Sequence, residues 1–247
     1  MQTSRLTAVI ILIMAAIYII CRLIGSGKRL NSRAYNRGKD RLIREQIAKS
    51  LEESAPIHLD INDGGESALG SGVILAAAKT ADTVSAQMAF ADEPWAITAP
   101  GGLSINAAKD SVRSGMEAAD YGSSYDGNCA VFSATAPFEH TAGNAAALEM
   151  EPSALHLAIG SFGASTALND TLHAKGEVLC VGGDDLISQA VGAVAADAVF
   201  VGEQYTEIPD SLDHTKKVNS SLLAIDIMRW LIIAAIIVFA GVGLTGI

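Results

Sequence analysis

Ile57-His58-Leu59-Asp60-Ile61 runs into Asn62-Asp63-Gly64-Gly65-Glu66, and an Ala-rich stretch follows over 67–90. A short alternating apolar run, a glycine turn and a helical segment, in that order, make one strand–helix unit. The same order recurs along the chain. Strand-like runs lie at 95–99, 129–134, 155–159, 178–181 and 198–201. Ala-rich helical segments follow at 105–121, 138–150, 164–173 and 186–195, and a short acidic segment at 203–210 follows the sixth strand. Strand alternating with helix predicts an α/β fold: a mostly parallel sheet of about six strands, Rossmann-like, with Ala/Gly-rich helices on its faces. Pro94 and Pro152 stand just before strands, where they break no ladder.

A weaker pattern lies over this one. Ile57-His58-Leu59-Asp60-Ile61 resembles Leu155-His156-Leu157-Ala158-Ile159, with Gly then Ser at matching offsets (Gly65, Ser67; Gly163, Ser165). Gly101-Gly102 resembles Gly182-Gly183, and Ala130-Val131-Phe132 resembles Ala198-Val199-Phe200. Three matches in the same order suggest two pseudo-repeated three-strand halves.

Both ends of the 247-residue chain are apolar. Residues 6–21 carry no charge, and 230–247 is a second uncharged run, opened by Arg229-Trp230. A run of about 18 residues rises about 27 Å as a helix, enough to cross a bilayer. No small-residue cleavage site follows the first run, which reads Ile20-Cys21-Arg22-Leu23-Ile24. The expected organisation is a transmembrane helix at 1–25, a basic juxtamembrane helix at 26–54, the α/β domain at 55–210, a connecting helix at 211–229 and a second transmembrane helix at 230–247. Eight basic residues stand between Lys28 and Lys49 against Asp40 and Glu45. The positive-inside bias then places the α/β domain in the cytoplasm, with both termini outside. Lys28, Arg29, Arg33, Arg37, Arg41 and Arg44 are the residues expected at the membrane surface.

The net charge of −10 hides a division. Residues 1–50 hold ten Lys and Arg against two acids, whereas residues 51–210 hold four basic residues against 23 acids. An acidic body of this kind argues against a nucleic-acid partner. The three cysteines, Cys21, Cys129 and Cys180, match neither a disulfide scaffold nor a zinc spacing, and Cys129 and Cys180 are expected to be buried thiols.

Ligands of open parallel sheets bind beyond the carboxyl ends of the strands. The candidate binding residues are therefore Asp63, Gly64, Gly65, Gly101, Gly102, Gly163, Gly183 and Asp184. Tight strand-to-helix turns need glycine in any case. No G-x-G-x-x-G and no Walker sequence occurs, so no nucleotide cofactor is assigned. Asp60, Asp63, Glu66, Asp184 and Asp185 have the oxygen chemistry of a divalent-cation site, but acids at helix starts are ordinary caps, and capping is the reading adopted. No G-x-S-x-G elbow is present. His58, Asp60 and Asn62 share one sheet face, and an acid–base reading of His58 or Asp60 lacks a second catalytic group. His140, His173 and His214 lie on helical segments and are expected at surfaces.

The layout resembles a prokaryotic family whose members carry a cytoplasmic α/β domain rich in Ala and Gly between membrane helices, a domain of unknown function. Asp63-Gly64-Gly65, Ala99-Pro100-Gly101-Gly102, Gly160-Ser161-Phe162-Gly163 and Val201-Gly202-Glu203 carry the resemblance. It implies an architecture but no activity. The functional expectation is a membrane-anchored scaffold or accessory subunit, without catalysis, whose acidic domain forms a homo-oligomer or docks partners at the lipid bilayer. The alternative is a membrane-tethered sensory domain that binds a small ligand or metal at the glycine-rich strand ends.

Overall fold

The computed structural model describes residues 16, 19–20, 37–63, 70–91, 95–150, 153–169, 178–183, 185–212, 227, 229–233 and 236. Two compact units divide the chain, Arg33–Leu212 and the pair of terminal segments Met1–Ser32 and Asp213–Ile247. In the terminal unit the described residues, Ala16, Ile19, Ile20, Ile227, 229–233 and Ile236, are helical. Among the described residues no helix is long and apolar enough to cross a membrane. Most of the two expected spans, the connecting segment, and Lys28, Arg29 and Arg33 lie outside the described residues.

Helix α1 (Arg37–Glu53) opens the larger unit. Its Ile43 and Ile47, four apart, are buried in the core, while Arg41 bonds Glu45 at 2.6 Å on the outer face. Then come β1 (Ile57–Asn62), α2 (Gly70–Gln87), β2 (Trp95–Ala99), α3 (Gly102–Ala118), β3 (Ala130–Phe132), α4 (Pro137–Met150) and β4 (Leu155–Gly160). A 3-10 segment, Gly163–Asn169, precedes β5 (Val178–Gly183), α5 (Leu186–Ala195) and β6 (Ala198–Val201). A second 3-10 segment, Gly202–Glu207, leads into the short α6 (Ile208–Leu212).

All six strands are parallel, in the order β3-β2-β1-β4-β5-β6. This is the doubly wound Rossmann order, reversing direction between β1 and β4. It is also the arrangement that two three-strand halves would make, because β1 and β4 pair in the register of their sequence match, Ile57 with Leu155 and His58 with His156.

The two faces of the sheet differ. Ile57, Leu59 and Ile61 of β1 and Leu155, Leu157 and Ile159 of β4 join α2 and α3 in the main apolar core. The helices there approach closely because their contact residues are small: a Cβ on Gly115 of α3 would stand 2.2 Å from the Asp82 carbonyl of α2. Strand alternation sends His58, Asp60, Asn62 and His156 to the opposite face. That face lies under α4, the Gly163–Asn169 segment and α5. Its apolar cluster is small: Ala158, Phe162, Leu179 and Val181.

Three expectations are corrected. His140 is fully buried rather than at the surface, because α4 crosses the centre of the sheet and turns its first-turn histidine onto Asp60. Of the segment expected as a helix over 164–173, the described part is a 3-10 run, Gly163–Asn169, and 170–173 lie outside the described residues. Gly163 enters it at φ +59, and Ser165 and Thr166 bond the carbonyls three residues back, the spacing of the tighter helix. Cys129 is half-buried; Cys180 is buried.

Candidate functional site

The polar face of the sheet is the part of this molecule that packing alone does not explain. His58, Asp60, Asn62, Thr98, His140, Thr141, Asn144 and His156 are all buried there. Asp60 is the centre. His140 Nε2 donates to Asp60 Oδ1 at 2.5 Å. His58 Nε2 donates to the Thr98 hydroxyl (3.1 Å), which in turn donates to the same Asp60 Oδ1 (3.4 Å). Asn144 Nδ2 lies 3.3 Å from His140 Nε2, one turn along α4. His156 stands beside the group with Nε2 3.9 Å from Asp60 Oδ2.

Burial sets the charge state of the two strand histidines. Desolvation first, then the neighbouring His156, pushes His58 down to about 3 despite the pull of Asp60. Desolvation and then His140 push His156 down to about 3. Both rings are therefore neutral near neutral pH. Among the described residues, Asp60 Oδ2, Nδ1 of His58 and His140, Asn144 Oδ1 and both ring nitrogens of His156 have no hydrogen-bond partner. Each such buried atom costs about 1–3 kcal/mol. A leucine and valine layer would serve stability better, so this layer marks a place where the sequence departs from the requirements of the fold. Among the described residues, no group of three or more His, Cys, Asp or Glu side chains is arranged to hold a metal ion.

An open cleft of about 620 Å³ lies beyond the carboxyl ends of the strands, next to this layer. Its walls are the start of α4 (Pro137, Phe138, Glu139), the turn after β4 (Ser161 to Ser165) and the start of α5 (Asp185, Ile187). Phe162 belongs to both regions: it lines the cleft and stacks beside the His140 ring, centroids 6.4 Å apart and planes at 25°.

Asp185 holds the cleft's frame. It caps α5 by accepting from Ile187 N and Ser188 N, and its Oδ2 accepts from Gly163 N at 2.9 Å. Partial burial alone would raise its pKa, but the bonds from Ser188, Ile187 and Gly163 hold the carboxyl below its usual value. Behind it, Gly160 and Gly183 let the strand ends approach. A Cβ on Gly160 (φ +155) would lie 2.1 Å from Asn62 O, and one on Gly183 would lie 2.0 Å from Gly160 O.

Of the residues expected at a ligand, Gly163 lines the cleft, and Gly183 packs under the frame. Asp63 is half-buried just past β1, and Gly101 and Gly102 begin α3; none of these three lines the cleft. Gly64, Gly65 and Asp184 lie outside the described residues. Sequence reasoning missed His140, Thr98 and Asn144. The available signal was the run of polar residues at alternate positions 58, 60 and 62, repeated by His156, which requires polar partners from whatever helix covers it.

No family model, no curated protein and no solved structure matches this chain.

Proposed function

We propose that Arg33–Leu212 is a binding module for a small, partly apolar ligand that is neutral or cationic. The observation that carries this reading is the cleft at the carboxyl ends of β4 and β5, beside the point where strand order reverses. Its volume falls in the range of about 300–1,000 Å³ common to small-molecule sites. Phe138, Phe162 and Ile187 offer apolar walls, and the charged side chains among the lining residues, Glu139 and Asp185, are both acids. An anion would meet repulsion there; an amine or an uncharged molecule would not. The buried layer supports a sensory role, since His140 ties the cleft-lining start of α4 to Asp60 on the central strand.

The test is thermal unfolding of the full chain in mild detergent against amines, neutral metabolites and organic anions. Stabilisation by an amine or neutral compound that disappears in Ala164→Trp, which fills the cleft, supports the reading. Stabilisation by none of them, or equal stabilisation of the filled variant, removes it.

The module belongs, on this proposal, to a two-span protein of the prokaryotic inner membrane with its acidic domain in the cytoplasm. The support is the uncharged terminal runs and the basic stretch that follows the first of them. The resemblance to membrane-flanked α/β domains of unknown function agrees with that layout.

A second reading, a scaffold or accessory subunit that self-assembles or docks a partner, has its own support. Leu186, Ile187 and Val194 of α5 are exposed, the last at 91%. Val131 and Phe132 on the edge strand β3 are exposed as well.

A further inference from the structure

The amino-terminal edge of the sheet, opposite the cleft, has a cavity of its own. Its volume of about 600 Å³ falls in the range of about 300–1,000 Å³ common to small-molecule sites. Pro56, Trp95 and Cys129, at the starts of β1, β2 and β3, line it from the sheet. Phe90, just past α2, and the loop from Tyr121 to Asn128, just past α3, line it from above.

The chain is poor in aromatic residues, with two Trp, five Tyr and six Phe in 247 residues, yet three of them meet at this cavity. Trp95 is more than nine-tenths buried, and its Nε1 has no acceptor among the described residues. Phe90 and Tyr121 are 63% and 43% exposed and form a T-shaped pair, centroids 6.3 Å apart and planes at 61°. Two large rings held open to water forgo the burial that would stabilise the fold.

Backbone bonds fix the loop that carries Tyr121. The chain turns at Asp120 with φ +66, and Tyr121 N donates to Met116 O at 2.9 Å. Ser124 N donates to Tyr121 O at 2.9 Å, and Asn128 N donates to Asp126 Oδ1 at 3.0 Å. Ile97 N donates to Cys129 O at 2.9 Å and ties the far end of the loop to β2.

The electrostatics of this edge favour a cation. Connecting helices of a parallel sheet run against the strands, so α2 and α3, of 18 and 17 residues, both end here. Each helix C-terminus carries about half a negative charge. Asp126 is the charged residue among those lining the cavity, and no basic residue lines it. Arg113, exposed on α3, is paired with Glu117 at 2.8 Å. The faces of aromatic rings attract ammonium groups in addition.

We propose that this cavity is a second binding site, separate from the cleft, and that its ligand is an organic cation: an amine or quaternary ammonium on an apolar body. Asp126, Phe90 and Tyr121 hold the ammonium; Trp95, Val112 and Met116 hold the body. The cleft enters nowhere into this argument, and either site can fail without the other.

The experiment uses three probes that share a phenyl body: 2-phenylethyltrimethylammonium, 2-phenylethanol and 3-phenylpropanoate, which are cationic, neutral and anionic. Each is titrated into the full chain in mild detergent, with Trp230→Phe so that Trp95 is the remaining tryptophan. Trp95 fluorescence gives affinity, and alkylation of Cys129, followed by mass spectrometry of its peptide, gives location. The cation is expected to change the Trp95 signal, to protect Cys129, and to bind about 3–30-fold more tightly than the alcohol. The anion is expected to bind more weakly than either, and added salt to weaken the cation alone. Asp126→Asn keeps the oxygen to which Asn128 N donates, and is expected to reduce the preference for the cation with thermal unfolding unchanged. Phe90→Ala with Tyr121→Ala is expected to do the same. Equal affinity for cation and alcohol, a preference that survives Asp126→Asn, or Trp95 and Cys129 signals that no probe alters would each overturn the proposal. Protection of Cys129 is expected to persist in Ala164→Trp; its loss there would put the binding in the cleft and overturn the proposal too. Protection of Cys129 with no effect of Ala164→Trp on thermal stabilisation removes the cleft reading alone.

Discussion

His58 and His156 face each other across the centre of the sheet, in register on β1 and β4, with ring centroids 4.7 Å apart and planes at 88°. They occupy matching positions in the two halves of the strand order, and both rings are fully desolvated. The pair is where the two halves meet and where the polar layer is densest.

Stability should therefore depend on pH in a particular window. In the unfolded chain both histidines titrate near 6.5; in the fold both stay neutral down to about 3. Between these values the unfolded state binds more protons, so stability is full above about 6.5 and falls as pH drops below it. Each histidine contributes a slope of about 1.4 kcal/mol per pH unit. Thermal unfolding between about pH 7.5 and 5, above the range of ordinary carboxylates, should show a flat region and then a decline. Replacing either histidine should roughly halve that slope. An unchanged midpoint across the window would show that the rings are not desolvated as described.

Removing individual members of the layer should have opposite effects. His140→Ala takes the donor from a buried carboxylate, and breaking a buried pair in this way costs about 3–5 kcal/mol. Asp60→Asn keeps an oxygen for the His140 N–H to donate to and should cost less than Asp60→Ala. His156→Leu removes two ring nitrogens that have no partner among the described residues, so it should be neutral or stabilising. If His156→Leu destabilises as strongly as His140→Ala, the layer is a structural network and the functional argument from unpaired atoms fails. Chemical denaturation of the three variants checks this.

Much of the fold was legible from local pattern. The six strands and most of the helices fall where apolar alternation and Ala-rich runs place them, because a parallel sheet with small-residue helices repeats one strand–helix unit. The polar layer was half legible. His58, Asp60 and Asn62 announce a polar face by their spacing, but their partner His140 comes from a helix 80 residues away. Nothing in the Ala-rich sequence of α4 says which of its sides meets the sheet. The direction of α5 was hidden for a related reason: periodicity separates polar from apolar sides, and only the bonds of Ser188 to Phe162 and Gly163 and of Gln189 to Gly183 decide that the polar side turns inward.

The glycines at the carboxyl ends of the strands should divide into two kinds. Gly160→Ala and Gly183→Ala would drive a Cβ to about 2 Å from a backbone carbonyl oxygen, where no side chain can yield. Overpacking of this sort costs about 1–3 kcal/mol or more. Gly102→Ala meets nothing within 4 Å and should be neutral or stabilising, by up to about 1 kcal/mol, through the unfolded chain. Melting temperatures of the three variants without any ligand make the comparison. Equal effects at Gly102 and Gly183 would contradict the close approach of β4 and β5.

Asp185 connects two walls of the cleft, the turn after β4 and the start of α5, and its removal should reach beyond the helix it caps. Asp185→Ala loses the α5 cap, which is worth about 0.5–2 kcal/mol, and also removes one of the two acceptors of Gly163 N, leaving Ser188 Oγ, and the acceptor of the Ser188 hydroxyl. Asp185→Asn keeps a capping oxygen but loses the charge that strengthens these bonds, and should fall between alanine and the native chain. Because its folded pKa lies below that of a free carboxyl, the native contribution is present above about pH 4 and is lost as pH falls through the folded value. The alanine variant should therefore approach the native chain in stability at low pH. Hydrogen exchange gives the more specific readout: Gly163 and Phe162 amides should lose protection together with the first turn of α5. Loss confined to Ile187 and Ser188 would mean that the turn after β4 stands without Asp185, and that the cleft is framed by β4 and α4 alone.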